Sequence, residues 1–180
     1  MLPCYARALN QTIERFRATI AAIFSGHRHL DLFQVYYRYL SPNNASNCSS
    51  NASRGAVAIK YNITPSLTSE RGRPAFRLYV VDPATWEVVD HTVYVTANPR
   101  GQGLPPQGGA KLTWKKYYSA REAYGTDTEE DGLSPAFWDE LTVRMAGNET
   151  LFEEWWARRT RCSWVKPCHG VCVGGGKSAT

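Results

Sequence analysis

Residues 21–40 read AAIFSGHRHLDLFQVYYRYL, and the interpretation of this stretch governs that of its surroundings. Ala21 to Phe24 is a short apolar run ending on Ser25-Gly26, as a buried strand does when it runs into a turn. Asp31 to Leu40 is rich in aromatic and β-branched side chains and predicts a second strand. Between the two stands Gly26-His27-Arg28-His29. Two histidines one residue apart, at the end of a strand, can turn both imidazoles into one cleft if the backbone between them bends. A glycine before them permits the close approach that such a bend needs. Neutral imidazole suits zinc, iron and manganese alike. Without that bend, the pair is two surface histidines on a loop.

Working outward, Tyr5 to Ile20 places Leu9, Ile13, Phe16 and Ile20 at helical spacing, which predicts an amphipathic helix. Residues Ser41 to Ser53 (SPNNASNCSSNAS) lack periodicity and read as an exposed loop. Strand patterning resumes over Ala56 to Asn62, Phe76 to Asp82 and Trp86 to Thr96. The turn Asp82-Pro83-Ala84-Thr85 joins the last two into a hairpin. Asn98 to Ala110 is a Gly/Pro-rich connector, and three helices are predicted beyond it, over Lys111 to Tyr124, Pro135 to Ala146 and Glu149 to Arg161. Ser134-Pro135 supplies an N-cap and first-turn pair, and Gly125 and Gly147 close the preceding helices. The aromatic sets of these helices read as the core of a small helical cap, with a lipid-contacting surface as the alternative.

Charge and composition narrow the function classes. The net charge of +5 is modest, and Arg158, Arg159 and Arg161 beside Trp155, Trp156 and Trp164 read as a solvated helix face. No basic stripe or nucleic-acid signature accompanies them, so no nucleic-acid partner is expected. No stretch approaches the ~18 apolar residues of a membrane-spanning helix. Gly174-Gly-Gly-Lys177-Ser178 misses the phosphate-loop pattern, because residue 171 is valine where glycine is required. It reads as a flexible tail.

Six of the eight asparagines stand in Asn-x-Ser/Thr triplets: Asn10, Asn44, Asn47, Asn51, Asn62 and Asn148. Ordinary Ser and Thr usage would place about one in eight there, so a glycosylated, lumenal or extracellular protein is expected. Met1 to Asn10 lacks the form of a secretory signal, which is therefore expected upstream. The five cysteines are Cys4, Cys48, Cys162, Cys168 and Cys172. An odd count implies a free thiol or an outside partner. Cys168 and Cys172 can close a small disulfide loop. The other reading joins them to His169 as metal ligands, but crowds three ligands into one turn with no second cluster, and the disulfide is preferred.

Taken together, Gly26-His27-Arg28-His29-Leu30-Asp31 and Phe33-Gln34-Val35-Tyr36-Tyr37 resemble the final metal-binding motif of calcineurin-like metallophosphoesterases, and more narrowly of the acid sphingomyelinase family. Thr64-Pro65-Ser66-Leu67-Thr68, Phe76-Arg77-Leu78-Tyr79-Val80-Val81-Asp82 and Tyr118-Ser119-Ala120-Arg121-Glu122-Ala123-Tyr124-Gly125 are similar to later segments of that family. So are Leu151-Phe152 with Trp155-Trp156, and Cys168 to Cys172. The likeness runs from about residue 4 to residue 172. It implies an α+β fold: the C-terminal part of a metallophosphoesterase β-sandwich, with a helix and about five strands, over 1–97. A linker over 98–110, a three-helix subdomain over 111–173 and a tail over 174–180 would follow.

The resemblance also implies a two-zinc hydrolase that splits sphingomyelin into ceramide and phosphocholine at a membrane surface. His27 would bind one metal and His29 the other, with Asp31 orienting a ligand by hydrogen bonding. The family's further ligands, an Asp-x-His, another Asp, an Asn-His pair and one more His, have no counterpart in these 180 residues. Even one structural zinc takes four ligands. The chain is therefore expected to be a fragment inactive alone, the alternative being a non-catalytic lipid- or protein-binding remnant.

Overall fold

The computed structural model describes residues 3–26, 29–37, 56–62, 66–67, 73–97, 113–125 and 132–161. In chain order the elements are α1 (Pro3–Arg15), β1 (Ile23–Ser25), β2 (Leu32–Tyr37), β3 (Ala56–Asn62), β4 (Ala75–Val81), β5 (Val88–Thr96), β6 (Trp114–Ser119), α2 (Ala120–Tyr124), α3 (Pro135–Gly147) and α4 (Glu149–Thr160). The fold is α+β. Two three-stranded sheets are formed, ordered β1-β3-β2 and β4-β5-β6. In the first, β3 runs parallel to β1 and antiparallel to β2. The second is an antiparallel meander.

The β4–β5 hairpin turns as its sequence predicts. The Asp82 carboxylate accepts hydrogen bonds from the backbone N–H groups of Ala84 and Thr85, at 2.7 and 3.3 Å, which is the local closure that makes Asp a turn residue. Both long C-terminal helices also start where expected. Ser134 Oγ accepts from the Phe137 N–H, and Asn148 Oδ1 from the Leu151 N–H, each satisfying one of the donors left open in a first turn.

One predicted helix is corrected. Among the described residues of the stretch Lys111 to Tyr124, Trp114–Ser119 form β6, and only Ala120–Tyr124 is helical. Two causes combine. Trp and Tyr favour a pleated surface, and β5 would otherwise leave an edge without a partner. Trp114 then packs edge-on against Phe76, which stacks on Tyr94, so the three strands share an aromatic cluster. Ser119 ends the strand and caps the short helix by accepting from the Glu122 N–H.

The helical aromatics do not pack among themselves alone. Trp138 of α3 lies 4.4 Å, ring to ring, from Phe33 of β2 and stacks parallel to His91 of β5. Val93, Val95, Tyr117, Tyr118, Tyr124, Leu133 and Leu141 complete this core, against which Phe33, Val35 and Trp155 also pack. A smaller cluster sets Ile13 of α1 on Tyr36, with Leu9, Ile20 and Ile23 around them. Phe16, placed on the apolar face by its spacing, is exposed because α1 ends at Arg15.

Candidate functional site

The segment between β1 and β2 contains the histidine pair. His27 and Arg28 lie outside the described residues, and His29 is half-buried with φ at +56°. A side chain in this left-handed region costs roughly 1–2 kcal/mol against an ordinary backbone. Such a conformation persists only where surrounding contacts over-determine it. They do so here, from far along the chain. Both terminal nitrogens of the Arg161 guanidinium donate to the His29 carbonyl, at 3.2 Å each. Arg161 is itself left-handed, with φ at +50°, and ends α4.

Two residues on, Asp31 is buried. Its N–H donates to the Arg159 carbonyl at 3.2 Å, a second tie to the end of α4. One carboxylate oxygen pairs with the Arg77 guanidinium, and the other accepts from the Tyr118 hydroxyl at 2.6 Å. Arg77 also donates to the Tyr79 hydroxyl at 3.0 Å. β4 supplies Arg77 because its inward face carries Ala75, Arg77 and Tyr79 in alternation. β6 supplies Tyr118 from its C-terminal end, where Tyr117, Tyr118 and Ser119 are all buried.

The electrostatics follow from the burial. Burial opposes the Arg77 charge, but Asp31, Tyr118 and Tyr79 outweigh it and raise its pKa above the usual arginine value. Burial, reinforced by the Asp31 carboxylate, pushes the Tyr118 phenol well above its ordinary range. Burial lowers the Arg161 pKa, an effect Asp31 opposes. Burial, then the Arg77 charge, holds His91 well below the ordinary imidazole value. A cavity of about 10 Å³, room for one water, lies among Asp31, Arg77, His91, Tyr118 and Trp138. This is a fixed neutral pair with a phenol donor, suited to holding a loop in place rather than to moving protons.

The Asp31 expectation therefore acquires partners that its spacing did not suggest. His91 is a buried packing residue. The arginine run, expected on a solvated face, is corrected: Arg161 is buried, Arg159 lies 4.3 Å over the Trp156 ring, and Arg158 packs over Tyr124. Apolar rings attract guanidinium groups as well as one another. Asn148 is an exposed helix cap and Asn10 is half-buried in α1. Asn62 pairs through its backbone with Ser25 and Leu32. Asn44, Asn47, Asn51, Cys48, Cys162, Cys168, Cys172 and His169 lie outside the described residues, and Cys4 is exposed and bonded to no cysteine among the described residues.

A bound metal is tested by its donors. Among the described residues no group of three or more His, Cys, Asp or Glu side chains is placed to hold one. Asp31, the acid nearest His29 in sequence, has both oxygens engaged by Arg77 and Tyr118. The described residues do not constitute a metal centre.

No family model matches the chain. It is 32% identical to sphingomyelin phosphodiesterase 1 of Caenorhabditis elegans over 164 residues, 90% of this chain and 26% of that protein. Against human sphingomyelin phosphodiesterase it is 32% identical over 149 residues, 80% of this chain and 20% of the relative. Sphingomyelin phosphodiesterase B of Dictyostelium discoideum is 28% identical over 175 residues, 93% of this chain and 24% of the relative. The chain is homologous to sphingomyelin phosphodiesterases. It spans about a quarter of the length of these curated relatives. Within the part that is similar to the phosphodiesterases, Arg77, Tyr118 and Arg161 had no assigned role, and all three converge on the His29–Asp31 segment. No sequence signal pointed to Arg77, because strand alternation sets it on the face opposite the apolar Phe76, Leu78 and Val80.

Proposed function

We propose that these residues form the closing part of a zinc-dependent phosphodiesterase that cleaves sphingomyelin, or a related lipid phosphodiester, into ceramide and phosphocholine at a membrane surface. The observation that carries this reading is sequence similarity over 80–93% of the chain to sphingomyelin phosphodiesterases of animals and of Dictyostelium. On this reading His27 and His29 each take one of two zinc ions, and the remaining ligands come from sequence beyond these 180 residues. The zinc ions would supply an activated water and a clamp on the phosphoryl oxygens. Residues 1–97 would complete the metallophosphoesterase sandwich and residues 111–173 a helical subdomain, joined by 98–110. The protein would be secreted or lysosomal, with glycans on the six asparagine triplets and a Cys168–Cys172 disulfide.

The chain alone is expected to release no phosphocholine from sphingomyelin vesicles with zinc present, since two histidines cannot fill two metal sites. Sequencing the transcript 5′ of the Met1 codon tests the reading. It should continue in frame through an Asp-x-His and an Asn-His pair, and the resulting longer protein should hydrolyse sphingomyelin until His29→Ala removes a ligand. A transcript starting at Met1 overturns it. The exposed Leu78, Val80 and Trp86 favour the second reading in that event, a non-catalytic module that binds lipid or protein through this apolar face.

A further inference from the structure

The two left-handed residues on either side of this contact are 132 positions apart and hydrogen-bonded to each other. We propose that Arg161 is a positioning residue for His29: the end of α4 acts as a latch that holds the His29 backbone at positive φ and so restricts the direction of its imidazole. The functional weight of the latch rests on the reading above, whereas its existence does not. Three observations build it. The guanidinium fork closes on the His29 carbonyl from both terminal nitrogens, and a carbonyl has two lone pairs to receive them. The Asp31 N–H closes on the Arg159 carbonyl two residues before Arg161, so the helix end grips the segment at two points. The Asp31 side chain is anchored separately, by Arg77 of β4 and Tyr118 of β6, so the segment is tied to the sheet as well as to the helix end.

Arg161 is suited to this task in a way lysine is not. Its planar fork presents two parallel donors, while an ammonium is a point charge on a more flexible stem. Its burial also keeps water from competing for the His29 carbonyl. A left-handed histidine released from this contact would return to the ordinary negative-φ basins, which turns its side chain relative to the segment that precedes it.

The test uses the 180-residue chain, isotope-labelled, with Arg161→Ala and Arg161→Lys. In the native chain His29 should show the strong intraresidue amide–α-proton NOE that a positive φ produces, and the Asp31 amide should be protected from exchange. Arg161→Ala should weaken that NOE and speed Asp31 exchange at least tenfold while Val93 and Val95 in β5 keep their protection. Arg161→Lys, which preserves charge and stem if the alanine variant fails to fold, should give an intermediate rate. An unchanged NOE and unchanged Asp31 exchange overturn the latch. So does a rise shared equally by Val93 and Val95, which would make Arg161 a general core residue. Zn²⁺ titrated into the same samples and followed at the imidazole protons reports separately. A silent His29 there is expected of residues that lack the remaining ligands and leaves the exchange result to decide the latch, whereas loss of bound zinc in His29→Ala of the longer protein decides the zinc reading.

Discussion

Asp31 meets Arg77 in the interior, where 6% and 2% of the two side chains are exposed, while Glu122 meets Lys116 at the surface, where 64% and 46% are. The charges are the same and the surroundings opposite. Around Asp31 every contact reaches across the fold: Arg77 from β4, Tyr118 from β6, Arg159 from the end of α4. Around Glu122 the contact spans six residues, from β6 to the short helix that follows it. The buried pair was removed from water at a cost that its own attraction only partly offsets. Its presence is therefore weak evidence of net stabilisation, whereas removing one partner alone is costly. The surface pair remains in water and incurs neither cost.

The sharpest way to break this comparison is to remove one partner from each side. Arg77→Met keeps the volume of the stem and leaves Asp31 buried without its cation. The expected loss is ~3–5 kcal/mol in urea unfolding, the usual result of orphaning one member of a buried pair. A loss below ~1 kcal/mol would mean that the Asp31 site admits water freely, and the distinction between the two regions would fail.

The same distinction marks what could be read along the chain. Elements governed by neighbours were legible: the Asp82 turn, the Ser134-Pro135 helix start and the strands β1 to β5 all lie within a few residues of their expected places. β6 was not, because Trp114, Tyr117 and Tyr118 stand at i, i+3 and i+4, the helical spacing, and the deciding factor was the vacant edge of β5. The site divided along similar lines. The histidine motif was visible as four adjacent residues. Its support was not, since the partners stand 46, 87 and 132 residues away from the groups they hold. Arg161 shows the cost of local reading most clearly. Within Arg158-Arg159-Thr160-Arg161 it resembles the other two arginines, and only the turn at the end of α4 sends it inward.

The two regions should also differ in what solution condition they sense. His91 lies in the wall that contains Arg77, and burial followed by the Arg77 charge keeps its imidazole neutral. Its folded pKa is below the unfolded value of about 6.5. The unfolded chain therefore takes up the proton first, and this contribution to stability, complete above pH 6.5, is lost as the pH falls. The slope approaches ~1.4 kcal/mol per pH unit in the window between the folded and the unfolded pKa. His91→Leu should flatten that part of the curve, whatever its effect on stability at pH 7. An unchanged slope in the variant would show that His91 is protonated in the folded chain.

The surface pair should sense salt instead, and weakly. Lys116 Nζ lies 2.6 Å from the Glu122 carboxylate, which raises the lysine pKa through the hydrogen bond. A short distance is not a large free energy when water solvates both groups in the unpaired state. Holding two long side chains in one geometry costs entropy, and ions screen the attraction over about 8 Å at physiological strength. Lys116→Ala should therefore leave the unfolding midpoint unchanged within error at 0.15 M salt, with at most a small drop at low ionic strength that disappears as salt is added. A salt-independent loss would have to come from the lysine stem packing along β6, and Lys116→Met, which keeps the stem and drops the charge, would then restore it.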